Sequence, residues 1–90
     1  MKAIHKYPLT LQGEEKVSLP EGARILCVQN QRETICIWAV VDPDITSHEE
    51  RTFMVIGTGH IHDSIPTGGY IGTVQLQDGF FVFHVFEKNS

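Results

Sequence analysis

Apolar residues recur along the chain at period two or in short unbroken runs, and turn-forming residues interrupt them every eight to twelve positions. That is the pattern of an antiparallel β domain rather than a helical one. The predicted strands are Lys2 to Tyr7, stopped by Pro8; Lys16 to Leu19, stopped by Pro20 and the turn Glu21-Gly22; Arg24 to Gln29; Thr34 to Val41; Arg51 to Ile56; Tyr70 to Leu76; and Phe80 to Phe86. The expected fold class is therefore all-β, with six or seven mostly antiparallel strands and at most one short helical turn. Closed barrel and two-layer sandwich fit the alternation equally well.

The segment Thr34 to Val41 is apolar on both faces, with Ile35, Ile37, Ala39 and Val41 alternating with Cys36, Trp38 and Val40, so it belongs in the middle of a sheet. Arg51 to Ile56 and Phe80 to Phe86 share this two-sided character, and the aromatic final strand needs a cover on each side, from the core or from a second subunit. If Asn30 to Glu33 closes the first hairpin as a four-residue loop, facing residue numbers sum to 63 and Cys27 lies opposite Cys36. Gln77-Asp78-Gly79 supplies the positive-φ residues of a second hairpin turn. Asp42-Pro43-Asp44 suits a type I turn, and Thr46 with Glu49, or Ser47 with Glu50, could cap the single helical turn. Gly57 to Gly69 carries Gly57, Gly59, Gly68, Gly69 and Pro66, too punctuated for regular structure and the natural place for a site.

Ninety residues make one domain, residues 1–90, with a modest core. The N-terminus holds His5, Lys6 and Pro8 where a secretory leader would be continuously apolar, and no run approaches a membrane span. Cys27 and Cys36 match no metal or redox spacing, so they are expected as buried thiols in a reducing, cytoplasmic compartment. A net charge of −4 with cations scattered along the sequence argues against duplex nucleic acid as a partner. Two local acidic patches, Glu14-Glu15 and the set Asp42, Asp44, Glu49 and Glu50, read first as solvated loops.

Catalytic and metal chemistries find little to work with. His60 and His62 share one side of an extended segment, with Asp63 adjacent and His84 elsewhere, but no further ligand completes a zinc motif, and no metal or other cofactor is expected. Ser64 beside His62 and Asp63 is the only nucleophile candidate, and sequence neighbours rarely adopt triad geometry. The domain is therefore read as non-enzymatic. Gly57-Thr58-Gly59-His60 and Thr67-Gly68-Gly69-Tyr70 could aim backbone N–H groups at an anion, with Arg51 or Arg24 to neutralise a phosphate and Tyr70 or Trp38 to stack a base. Against this, the glycines also read as ordinary turn residues, Trp38 as core, and His84 as a hydrogen-bonded core histidine.

The opening Met1 to Leu9, the central Trp38 to Pro43, Glu50 to Phe53, Gly57 to His60, Tyr70 to Leu76 and Phe81 to Glu87 together resemble a small uncharacterised protein family of phages and prophages over nearly the full length. The family carries no assigned activity, and its Gly-Thr-Gly-His segment is the part the resemblance associates with a site. A phage setting implies a stoichiometric counter-defence protein. The first reading is a homo-oligomeric sponge that sequesters a small anionic, nucleotide-like host signal through Gly57, Thr58, Gly59, His60, His62, Tyr70 and Arg51. The alternatives are an anti-CRISPR-like inhibitor of a host defence protein, working through an acidic patch or a free strand edge, and a structural adaptor.

Overall fold

The two-sided strands take the middle positions, as their composition requires. The computed structural model describes residues 1–10 and 13–88 and contains seven strands: β1 (Ala3–Leu9), β2 (Glu14–Pro20), β3 (Arg24–Gln31), β4 (Thr34–Val41), β5 (His48–Gly57), β6 (Tyr70–Leu76) and β7 (Phe81–Lys88). All pairings are antiparallel, within a three-stranded sheet of order β1-β4-β3 and a four-stranded sheet of order β2-β5-β7-β6. The fold is thus an all-β sandwich, which settles the choice between sandwich and barrel. Its interior is made by Leu9, Val28, Ile35, Ile37, Ala39 and Val41 from the first sheet and Leu19, Phe53, Val55, Val74, Leu76 and Val85 from the second. Each large aliphatic or aromatic side chain taken fully out of water there contributes about 1.5–3 kcal/mol. Among the described residues no helix is long and apolar enough to cross a membrane.

Strands β1 and β2 are edge strands. β1 nevertheless runs through Pro8 to a buried Leu9, because proline is tolerated on an edge strand, where its missing N–H need not serve the ladder. The turn at Asp42 is also as expected: Ile45 N–H donates to Asp42 O at 3.1 Å and Asp44 N–H to Asp42 Oδ1 at 3.0 Å. The helical turn lies elsewhere. Glu49 and Glu50 are paired with Leu19 and Ser18 in the β2–β5 ladder, so neither caps a helix, and the one helical turn among the described residues is the 3₁₀ turn Thr67–Gly69.

The expected Cys27–Cys36 pairing does not form. The β3–β4 loop has two residues, Arg32 and Glu33, both left-handed (φ 50° and 67°), so Gln31 faces Thr34, and beyond a bulge between Ile25 and Cys27 the earlier part of the strand pairs one residue out of step. Cys27 therefore faces Trp38 and Gln29 faces Cys36, leaving both thiols free. Such a turn matches the twist of the flanking strands, at a steric cost for non-glycine residues. Hydrogen bonds offset that cost here. Glu33 N–H donates to Asn30 Oδ1 at 2.8 Å, and the Glu33 carboxylate accepts Gln77 N–H at 2.9 and 3.1 Å, from the turn that joins β6 to β7. Asn30 Nδ2 also donates to Gln75 O at 2.8 Å. These contacts tie the two hairpin turns together at one end of the sandwich. Replacing Glu33 with alanine should lower the unfolding free energy by roughly 1–2 kcal/mol, and Glu33→Gln by less, read from urea midpoints at unchanged m-value.

Candidate functional site at the glycine loop

β5 and β6 both run antiparallel to β7, which lies between them, so the chain from Gly57 to Tyr70 has to cross β7. The inner face of β7 is filled by the core, and the far side of β6 lies against β3, where Asn30 reaches Gln75. The crossover therefore takes the outer face, which explains why Ile56 and Phe86 are only 4% and 8% exposed although they point away from the core. Thr58 anchors its start, its N–H donating to Val82 O at 3.1 Å. Its hydroxyl lies 2.7 Å from Nε2 of His84, whose Nδ1 lies 3.0 Å from Thr73 Oγ1, which in turn is 2.6 Å from Tyr70 OH. His84 is hydrogen-bonded through both ring nitrogens, as expected, but on the outer face rather than in the core.

Just past Thr58 the chain turns at Gly59 (φ 86°) and brings the His60 ring back against Gly57. A Cβ at Gly57 would lie 2.8 Å from His60 Cε1, so the imidazole sits where only glycine leaves room. Gly57, Thr58 and His60 then share a cleft of about 410 Å³ with Phe80, Phe81, Val82 and Phe83. Phe80 is 79% and Phe81 42% exposed; the Phe80 and Phe81 rings meet edge to face at 4.9 Å, and those of Phe81 and Phe83 stack at 6.3 Å. A smaller cleft on the other side of Phe81 and Phe83, about 220 Å³, reaches Glu33, Leu76 and Gln77.

A model described as a domain of unknown function, DUF7352, matches residues 1–90. The chain belongs to the DUF7352 family. Its description names neither an activity nor a phage. No curated protein and no solved structure matches the chain.

In this DUF7352 domain the residues singled out in the sequence divide into three groups. Gly57, Thr58 and His60 form one wall of the aromatic cleft, with Gly59 as the turn between them, and Tyr70 is joined to Thr58 through Thr73 and His84. The second glycine pair lies apart, since Gly68, Gly69 and Tyr70 line a separate opening with Ile25, Leu26, Ile71 and Glu87. Three of the loop amides are also engaged. Thr58 and His60 donate to Val82 O and Gly57 O, and Gly69 donates to Pro66 O, so the two segments do not form one anion nest. His62, Asp63 and Ser64 are exposed, and no group of three His, Cys, Asp or Glu side chains among the described residues is placed to hold a metal.

Arg51 belongs to the opposite end. Six residues before Gly57 on the same strand, it is about 20 Å from that end of the loop, while its partner Glu87 lines the second opening with Gly68, Gly69 and Tyr70. Its guanidinium makes a fork on Glu87, with Nε to Oε2 at 2.6 Å and a terminal nitrogen to Oε1 at 2.9 Å, donates to Ala23 O, and lies 3.8 Å from Glu49. The hydrogen bonds to Glu87 raise its pKa above the ordinary arginine value; partial burial lowers it less, and the Glu87 and Glu49 charges add to the rise. A raised cationic pKa stabilises the fold below the unfolded value and loses that effect only above the folded one, so this contribution is constant across neutral pH. Phe80, Phe81, Phe83 and Thr73 are site residues that sequence reasoning did not place there; the only signal was the unusual aromatic density of the last strand. Arg51→Met should destabilise the domain by roughly 2–3 kcal/mol, because Glu87 loses a charge-assisted pair, with the urea midpoint falling equally from pH 6 to 9.

Proposed function

We propose that this DUF7352 domain is a non-enzymatic phage accessory protein, cytoplasmic in the host, that sequesters a small nucleotide-like signal and works as a homo-oligomer. The observation that carries the reading is the exposed, edge-to-face Phe80–Phe81 pair beside Gly57–His60, two apolar ring faces next to a loop with an imidazole. Small monomers seldom leave two adjacent phenylalanines in water without a partner for them. Stacking on such rings is worth about 1–3 kcal/mol per base, and the His60 ring supplies a polar contact at the rim. Since the Thr58 and His60 amides that line the cleft are engaged, recognition rests on the base more than on the phosphate. A second copy over Phe80 would close the cleft and supply the oligomer.

The same exposed rings also support a second reading, in which they are the anchor of an interface with a host defence protein, since aromatic anchors dominate interface energetics. Thermal denaturation against a panel of mononucleotides and cyclic oligonucleotides separates the two. A ligand at a hundredfold excess over its Kd adds about 2.7 kcal/mol to the native state, which in a domain of this size raises Tm by roughly 10–20 °C. Phe81→Ala should abolish that rise, whereas Arg51→Met should lower the starting Tm and keep the increment. A panel in which no nucleotide moves Tm overturns the sponge and leaves the protein-inhibitor reading.

A further inference from the structure

The outer face of the β1-β4-β3 sheet is assigned no role by the reading above, and it differs from the rest of the molecule. The positions that point outward there are Ile4, Lys6 and Pro8 on β1, Arg24, Cys27, Gln29 and Gln31 on β3, and Thr34, Cys36, Trp38 and Val40 on β4. None is acidic. Residues 1–9 and 24–41 carry Lys2, Lys6, Arg24 and Arg32 against Glu33 alone, a balance of +3, while the remaining residues carry three cations against ten acids, a balance of −7; together these give the net −4. Lys6 and Arg24 thus point outward from strands of this sheet, Lys2 precedes β1 beside the end of β4 where Asp42 follows, and Arg32 is in the β3–β4 turn.

At the middle of this face is Trp38, on the central strand and half-buried rather than in the core. Lys6 and Cys27 flank it across the ladder, and in the next outward row Val40 lies between Ile4 and Arg24. Ile4 is 61% exposed. Lys6 reaches across β4 to donate to Gln31 Oε1, so its stem covers Cys36, which is 1% exposed despite its outward position. A central aromatic on an acid-free sheet with cations on the flanking strands has the two components that single-stranded nucleic acid needs, a stacking surface and phosphate partners. A duplex is not matched, because nothing on this flat face could enter a groove. A second copy docking through the same face would bring Lys6 and Arg24 against their own equivalents, a like-charge contact.

We infer that the outer face of the β1-β4-β3 sheet is a binding surface for short single-stranded nucleic acid, with a base stacked on Trp38 and phosphates held by Arg24 and Lys6, aided by Lys2 and Arg32. This surface is independent of the cleft at Phe81. Trp38 is the only tryptophan of the chain, so intrinsic fluorescence reports on it directly. Titration with oligo-dT or oligo-U should quench that emission, and blunt duplex DNA and mononucleotides should not. With two to four phosphate contacts, the apparent Kd should rise roughly 7- to 50-fold between 50 and 200 mM salt. Arg24→Glu, a surface change with no hydrogen bond to disrupt among the described residues, should weaken binding at least about tenfold. Trp38→Ala, followed by anisotropy of a labelled oligonucleotide, should weaken it about 5- to 150-fold, whereas Phe81→Ala should leave it unchanged. Absence of quenching and of an anisotropy change at 50 mM salt overturns the proposal. So does binding that ignores salt, or equal quenching by polyglutamate, which would point to an acidic protein as the occupant.

Discussion

The seam where β3 meets β6 holds the two sheets in one arrangement. A bulge in β3 between Ile25 and Cys27 faces a bulge in β6 between Tyr70 and Gly72, and bulges bend and twist edge strands sharply. The strands come so close that a Cβ on Gly72 would lie 2.8 Å from Val28 Cγ1. Further along, Asn30 and Glu33 fasten the first hairpin to Gln75 and Gln77 of the second. Arg32, Glu33, Gln77 and Asp78 all adopt positive φ without being glycine, conformations costing of order 1 kcal/mol or more each. Those costs are tolerated because each turn supports the other.

Closing that seam has a topological consequence for the site. With β3 against β6, the connection from β5 cannot pass around the edge of its sheet and has to cross the outer face of β7. Its first residue there, Thr58, is fixed by Val82 and His84, and its last, Tyr70, by Thr73. The glycine loop is thus held at both ends on rigid strands, and His60 is turned back over Gly57 toward Phe81. The aromatic cleft is the by-product of a crossover that the strand order imposes, a recurrent origin for sites in β proteins, where loops carry function and strands fix their ends.

The strand content was legible in the residues because period-two alternation and two-sided apolar runs are local signals, and they identified β4, β5 and β7 as central. Register was not. The Cys27–Cys36 pairing failed because it depended on loop length, and the loop is a two-residue turn built from Arg32 and Glu33, residues with no intrinsic preference for positive φ. The hydrogen bonds that stabilise it come from Asn30 and from a turn more than forty positions away. The helical turn was expected at Thr46 to Glu50 on a capping pattern, which the β2 ladder overrode. The loop half of the cleft was visible as glycine punctuation, whereas the distance of Arg51 and the proximity of Phe80 and Phe81 are tertiary facts that no local pattern carries.

Net charge is silent about local surfaces for the same reason. A value of −4 describes the molecule as seen from far away, but at 0.1 M ionic strength charges are screened beyond about 10 Å. The Cα envelope measures 41 × 29 × 18 Å, so side chains on opposite outer faces of the sandwich are separated by more than that length. A ligand at Trp38 would lie beside Lys6 and Arg24, with Glu49 of the other sheet bonded to Gly22 N–H at 3.4 Å. The relevant quantity is the charge within one screening length of a surface, and in a thin two-layer domain each sheet can carry its own sign. Cations that look scattered along a chain are then no argument against an anionic partner until the strand order is known, because antiparallel pairing brings together residues as distant as Lys6 and Arg24 on the two flanks of one strand.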